Sequence, residues 1–116
     1  TYGHQAGDHV LKELSKRLQT TLRATDSLCR YGGEEFALIL PNVDPEQAYS
    51  ICDRLRSGVA NSPIIYKEQE INMAVSIGLA QMALDKPLED MIGEADTALY
   101  LAKKNGRNRV EQYVAQ

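Results

Sequence analysis

The sequence predicts an α/β sandwich, with helices packed against a mostly antiparallel sheet. Two observations carry this expectation. Apolar residues recur at helical spacing in three separate stretches, and short β-type runs lie between them, two of these joined across a Gly-Gly bend. At 116 residues the chain suffices for one domain with a single core, and it shows no internal repeat, low-complexity tract or linker.

The elements follow in order. From Asp8 onward, Val10, Leu11, Leu14, Leu18 and Leu22 mark one helical face, and Lys12, Glu13, Lys16 and Gln19 the polar one. Asp8 is expected at the helix start, where an acid suits the dipole. "SLCRY" and "FALIL" then read as a hairpin around "GGEE", with Pro41 ending the second strand. Asp44-Pro45 opens a second helix as N-cap and first-turn proline, with Gln47 placed for a capping box. Its inward stripe is Ala48, Ile51, Cys52, Leu55 and Val59. "IIYKE" and "INMAVSIGLAQM" read as two strands joined by a short polar turn. In the second, large Val75, Ile77 and Leu79 alternate with small Ala74, Ser76, Gly78 and Ala80, so a helix or ligand can approach the small face closely. Pro87 precedes a third helix with Leu88, Ile92, Ala95, Leu99 and Ala102 inward. Lys103 and Lys104 fall in its last turn and Gly106 at its C-cap. "NRVEQYV" supplies a last short strand.

Composition excludes some function classes. The net charge of −3 shows no field for nucleic acid, so phosphate chemistry would need local cations or a divalent ion. No apolar run is long enough for a membrane span, and no signal peptide opens the chain; a cytoplasmic setting is expected. Cys29 and Cys52 lack metal-ligand spacing and read as reduced, buried thiols.

"RYGGEEF", residues 30–36, puts two glycines beside two adjacent carboxylates. Taken alone it is either a turn with solvated acids or a bend that holds a metal ion and a phosphate. Arg23-Ala-Thr-Asp26 is either a weak i,i+3 ion pair or an anion site. The strings "YGHQAGD", "RATDSLCRYGGEEF", "VSIGLA" and "ADTALYLAKKNGRN" occur in that order over essentially the whole chain. Together they resemble the GGDEF family of diguanylate cyclases, in its GGEEF form.

The resemblance implies a nucleotide-cyclase-like fold, with a ferredoxin-like central sheet flanked by helices. It also implies the reaction: two GTP, one on each of two facing domains, become cyclic di-GMP and two pyrophosphates. A homodimer, GTP and Mg2+ (with Mn2+ the alternative ion) are therefore expected; nucleic acid is not, and any membrane tether would come through other domains. Gly32 and Gly33 would leave room for phosphate. Glu34 would bind metal and help activate the attacking hydroxyl, with Glu35 a second metal ligand or its orienter. Asp8 would read the guanine edge and Leu11 pack near the base. Lys103 and Arg107 would contact phosphates, while Lys104 and Arg109 look like solvated charges. His4 is assigned a structural hydrogen bond. Five residues separate Asp26 from Gly32, an offset that matches the family's inhibitory product site, with Arg23, Asp26 and Arg54 as its residues. The family's further metal-binding aspartate lies on a strand upstream of "YGH". Residues 1–116 are thus expected to be a GGDEF domain that lacks its first strand and is inactive alone. A degenerate relative that only senses cyclic di-GMP or GTP is the alternative, and a purely structural dimerisation domain explains the motifs least.

Overall fold

A computed structural model of the chain describes residues 3–23, 26–30, 35–41, 43–81 and 85–113. The elements are α1 (Gly3–Thr21), β1 (Ser27–Arg30), β2 (Glu35–Ile39), α2 (Pro45–Asn61), β3 (Ile64–Tyr66), β4 (Gln69–Ile71), β5 (Ser76–Ala80), α3 (Leu88–Lys104) and β6 (Val110–Gln112). The main sheet has the order β1-β2-β5-β6, and β3-β4 forms a separate two-stranded sheet.

The mixed helix-and-sheet class is as expected, but the sheet is not mostly antiparallel. β1 pairs antiparallel with β2, whereas β2–β5 and β5–β6 are parallel. The reason is connectivity. The chain leaves β2 and crosses through α2 before entering β5; it leaves β5 and crosses through α3 before β6. Such crossovers return a strand in the same direction. Both central strands are buried on both faces, so "FALI" and "SIGLA" carry no polar side to mark their neighbours.

One face of the sheet meets α1 and α2. There Phe36, Leu38, Val75, Ile77 and Leu79 join Leu14, Leu18, Cys52, Leu55 and Val59 in the larger apolar cluster. The other face carries Ala37, Ile39 and Ala80 against Met91 and Ala95 of α3. Gly78, register partner of Ala37, lies where α3 comes closest. A Cβ added there would stand 2.7 Å from the Cα of Leu99 and run into the Ala95 carbonyl and the Leu99 amide. The small face of this strand is therefore a seat for a helix, one of the two occupants its alternation allowed.

α2 begins as its sequence predicts. Asp44 accepts from the Gln47 amide at 2.9 Å and Pro45 takes the first turn. Ala48, Cys52, Leu55 and Val59 are buried, and Ile51 packs at the cluster's edge. Three other expectations need correction. α1 starts at Gly3, so Asp8 lies one turn inside the helix and does not cap it. The run 71–81 is not one strand: Ile71 closes β4 and Ser76 opens β5, because the chain passes between two sheets there. In α3 the inward face is turned toward Met91, Ala95, Ala98, Leu99 and Ala102, while Leu88 at the helix start is 52% exposed.

Candidate functional site

The site is built around the C-terminal end of α3. The helix finishes in a Schellman arrangement: the Arg107 amide donates to the Ala102 carbonyl at 2.8 Å and the Gly106 amide to the Lys103 carbonyl at 3.4 Å. Gly106 takes φ +123°, which a residue with a Cβ would resist. The chain then continues with positive φ at Arg107 (65°) and Asn108 (45°), a conformation uncommon outside glycine that has to be held by its surroundings. Two contacts hold it. Arg109 Nε donates to the Arg107 carbonyl at 3.2 Å, and Arg56 Nη1 of α2 donates to Asn108 Oδ1 at 3.0 Å.

This turn aims two cations at the first residue of β2. Lys103 Nζ lies 3.3 Å from Glu35 Oε1, and Arg107 Nη1 lies 3.3 Å from Glu35 Oε2. The Glu35 side chain is 21% exposed, those of Lys103 and Arg107 35% and 59%. One carboxylate thus faces two positive charges with a separate oxygen for each. The second acid of "RYGGEEF" meets two of the three cations of "AKKNGR", Lys103 and Arg107, the latter 72 residues further along the chain. Gly32, Gly33 and Glu34 lie outside the described residues, as do the side chains of His4 and Cys29.

The other expected residues form two further places. Arg23 and Asp26 grip each other: Arg23 Nη2 reaches Asp26 Oδ1 at 2.8 Å, and the Arg23 amide reaches Oδ2 at 2.8 Å. The ion pair that the spacing allowed is therefore formed, with the Asp26 side chain only 4% exposed. Arg23 also donates to the Pro41 carbonyl at 2.5 Å, which ties the end of α1 to the end of β2. Half-exposed Arg23 lines an open groove of about 590 Å³ together with Arg54, Glu46, Gln47 and Ser50. Asp8 and Leu11 line a different groove along α1, of about 400 Å³, with Lys12, Ser15 and Lys16. Among the described residues no hydrogen bond or ion pair joins Asp8 to Glu35, Lys103 or Arg107.

Sequence reasoning passed over two supports. Arg109, expected to be merely solvated, braces the Arg107 carbonyl, and Arg56 braces Asn108. Neither was legible, because both act on backbone conformation rather than on a recognisable motif; a run of residues after the helix-ending Gly106 was the one signal that something must hold the turn. Cys52 is buried as expected, and burial, helped by Asp26 and Asp53, pushes its thiol up to about 12.

Two cations at the end of α3 that face one carboxylate at the start of β2 make a place suited to anions. The model of the family described as "Diguanylate cyclase, GGDEF domain" matches residues 1–109, and the chain belongs to that family. Diguanylate cyclase A of Treponema denticola is 41% identical over 111 residues, covering 95% of this chain and 30% of that protein. The response regulator PleD of Caulobacter vibrioides is 41% identical over 114 residues, covering 95% and 25%. The chain therefore spans less than a third of the length of these relatives. Among solved structures, the GGDEF domain of DgcB from Caulobacter crescentus in complex with c-di-GMP superposes with a TM-score of 0.83 at 29% identity, over 97% of this chain and 67% of that one. The active GGEEF domain of a Vibrio cholerae diguanylate cyclase gives 0.75 at 33% identity, over 99% and 73%.

Diguanylate cyclases of the family generally depend on a metal ion. Among the described residues no group of three or more His, Cys, Asp or Glu could hold one. Glu35 is a hard oxygen donor, but each of its oxygens already faces a cation, and that charge opposes a metal. The described residues taken alone do not fit a metal ion. No described helix is long and apolar enough to cross a membrane.

Proposed function

We propose that this chain is the catalytic domain of a diguanylate cyclase: it binds one GTP and, facing a second copy, condenses the two into cyclic di-GMP. In each half-reaction a 3′-hydroxyl attacks the α-phosphate of the opposite GTP. The new bond is 3′-O–P, the bond broken joins the α- and β-phosphates, and pyrophosphate leaves. The observation that carries this reading is the meeting of Lys103 and Arg107 with the acidic hairpin at Glu35. Phosphoryl transfer needs charge neutralisation on the leaving phosphates, and two cations on one helix end supply it. Glu34, the residue before Glu35 in sequence, takes the role of activating the hydroxyl in this reading. Asp8 accepts from guanine N1–H and the 2-amino group, donors that adenine does not present together, and Leu11 packs against the base. Mg2+ is the cofactor in this reading and would neutralise triphosphate charge, with Glu34, outside the described residues, as a ligand.

Arg23, Asp26 and Arg54 form the product site in this reading. Guanidinium grips phosphate bidentately and stacks on a base, and Arg23 and Arg54 share one groove. Bound product would hold two domains apart and so oppose synthesis, a coupling that must be reciprocal.

The test is incubation with GTP and Mg2+, with cyclic di-GMP resolved by chromatography. A protein carrying these residues is expected to form it, and Lys103→Ala with Arg107→Ala should abolish it. A protein carrying them that binds cyclic di-GMP yet makes none would overturn the catalytic reading in favour of the sensor.

A further inference from the structure

Glu35 stands where the resemblance puts a metal ligand, but its partners are of the opposite kind. Its two oxygens face Lys103 and Arg107, each at 3.3 Å, and the carboxylate is the least exposed of the three groups. We infer that Glu35 is a resident counter-ion: it occupies the Lys103/Arg107 pair as an anion, and any polyphosphate that binds there must displace it. This rests on the proposed phosphate role of the two cations, and it assigns Glu35 as a specificity-determining residue beside them.

The chemistry favours displacement over accommodation. A carboxylate has one negative charge to share between two cations, so each contact is a single 3.3 Å approach and not a bidentate grip. A polyphosphate offers more charge and more oxygens, and so can satisfy both cations at once. A ligand that engages only Lys103 leaves Arg107 on Glu35 and gains little. The pair is therefore selective for anions long enough to span it. The brace on Arg107 matters here. Its backbone is held by Arg109 and by the Arg56–Asn108 contact, so the point from which the guanidinium reaches stays fixed when its partner changes.

The counter-ion role makes a signed prediction that a metal-ligand role does not. In EDTA, with inorganic tripolyphosphate as the probe, Glu35→Gln should bind more tightly than the unaltered chain, by about threefold to tenfold. That follows from removing two half-exposed ion pairs, each of which is worth at most a few-fold. Isothermal titration at low salt gives the affinities. Orthophosphate should gain less than tripolyphosphate, and the gain should vanish in Glu35→Gln combined with Arg107→Ala. Glu35→Asp, which keeps the charge but withdraws it by one methylene, should show a smaller gain and covers the case in which the glutamine variant does not fold. Equal or weaker metal-free binding by Glu35→Gln, or by Glu35→Asp in that case, overturns the inference. Loss of cyclic di-GMP synthesis is a separate outcome, bearing on the catalytic reading alone.

Discussion

Replacing Gly78 with alanine should loosen the whole domain through a single methyl group. The new Cβ would meet only backbone: the Leu99 Cα at 2.7 Å, and the Ala95 carbonyl and Leu99 amide closer still. No side chain can rotate away. To restore the 3.4 Å of ordinary contact at Leu99 alone, α3 must retreat by roughly 0.7 Å, and by more at the carbonyl. That movement opens the buried seam between Ala37, Ile39, Ala80, Met91 and Ala95. Overpacking of this kind costs about 1–3 kcal/mol, and contact with rigid backbone puts this case at the upper end. Alanine also restricts the unfolded chain, which returns about 0.4–1 kcal/mol. A net loss of about 2 kcal/mol should lower the urea midpoint by about 1 M for a domain of this size. Gly58→Ala and Gly93→Ala are the controls. Both sit in helices with nothing within 4 Å of an added Cβ, and each should gain about 0.5–1 kcal/mol. A Gly78→Ala midpoint level with the controls would refute the close seating of α3 on β5.

Removing the N-cap in Asp44→Ala should cost about 1 kcal/mol in thermal unfolding, because the Gln47 amide loses its acceptor. Arg54→Ala should weaken cyclic di-GMP binding about tenfold by calorimetry with stability unchanged; unaltered affinity would remove Arg54 from the product site. Arg23→Ala should weaken binding too, but also cost about 1–3 kcal/mol in denaturant unfolding, since it strands the Asp26 side chain, 4% exposed, without its cation. For Cys52 the sign follows from linkage: its thiol ionises near 9 in the unfolded chain and near 12 when folded, so the unfolded state loses its proton first. Its contribution is full below pH 9 and drains away between about 9 and 12, so Cys52→Ala should show a shallower alkaline fall in stability than the unaltered chain.

Much of the fold was legible because local rules and packing agree. Asp44-Pro45 announces α2, Gly106 announces the end of α3, and the alternation of β5 announces a close neighbour on its small face. What escaped was non-local. Nothing in "FALI" or "SIGLA" says which strand lies beside which, so the parallel β2–β5 pairing had to be seen. The split between β4 and β5 was hidden because Val75 stays fully buried outside any strand, and burial alone mimics strand patterning. At the site, residue types and motif order pointed to Glu35, Lys103 and Arg107 as one place. The pairing of that acid with those cations was not legible, since the expectation assigned them to different ligands. The brace by Arg56 and Arg109 escaped for a further reason: a positive φ at arginine and asparagine leaves no mark in composition.

The Arg107–Glu35 contact also acts as a clasp. It closes a loop whose ends are 72 residues apart, enclosing α2, the β3–β4 hairpin, β5 and the whole of α3. Two half-exposed ion pairs are too weak to close such a loop, so β2–β5 pairing and the seating of α3 must close it first. The meeting of Lys103 and Arg107 with Glu35 thus depends on the seating of α3. A ligand that ties Lys103 and Arg107 together to the β2 end of the sheet would fasten that clasp, and its occupancy could be read as a rise in melting temperature.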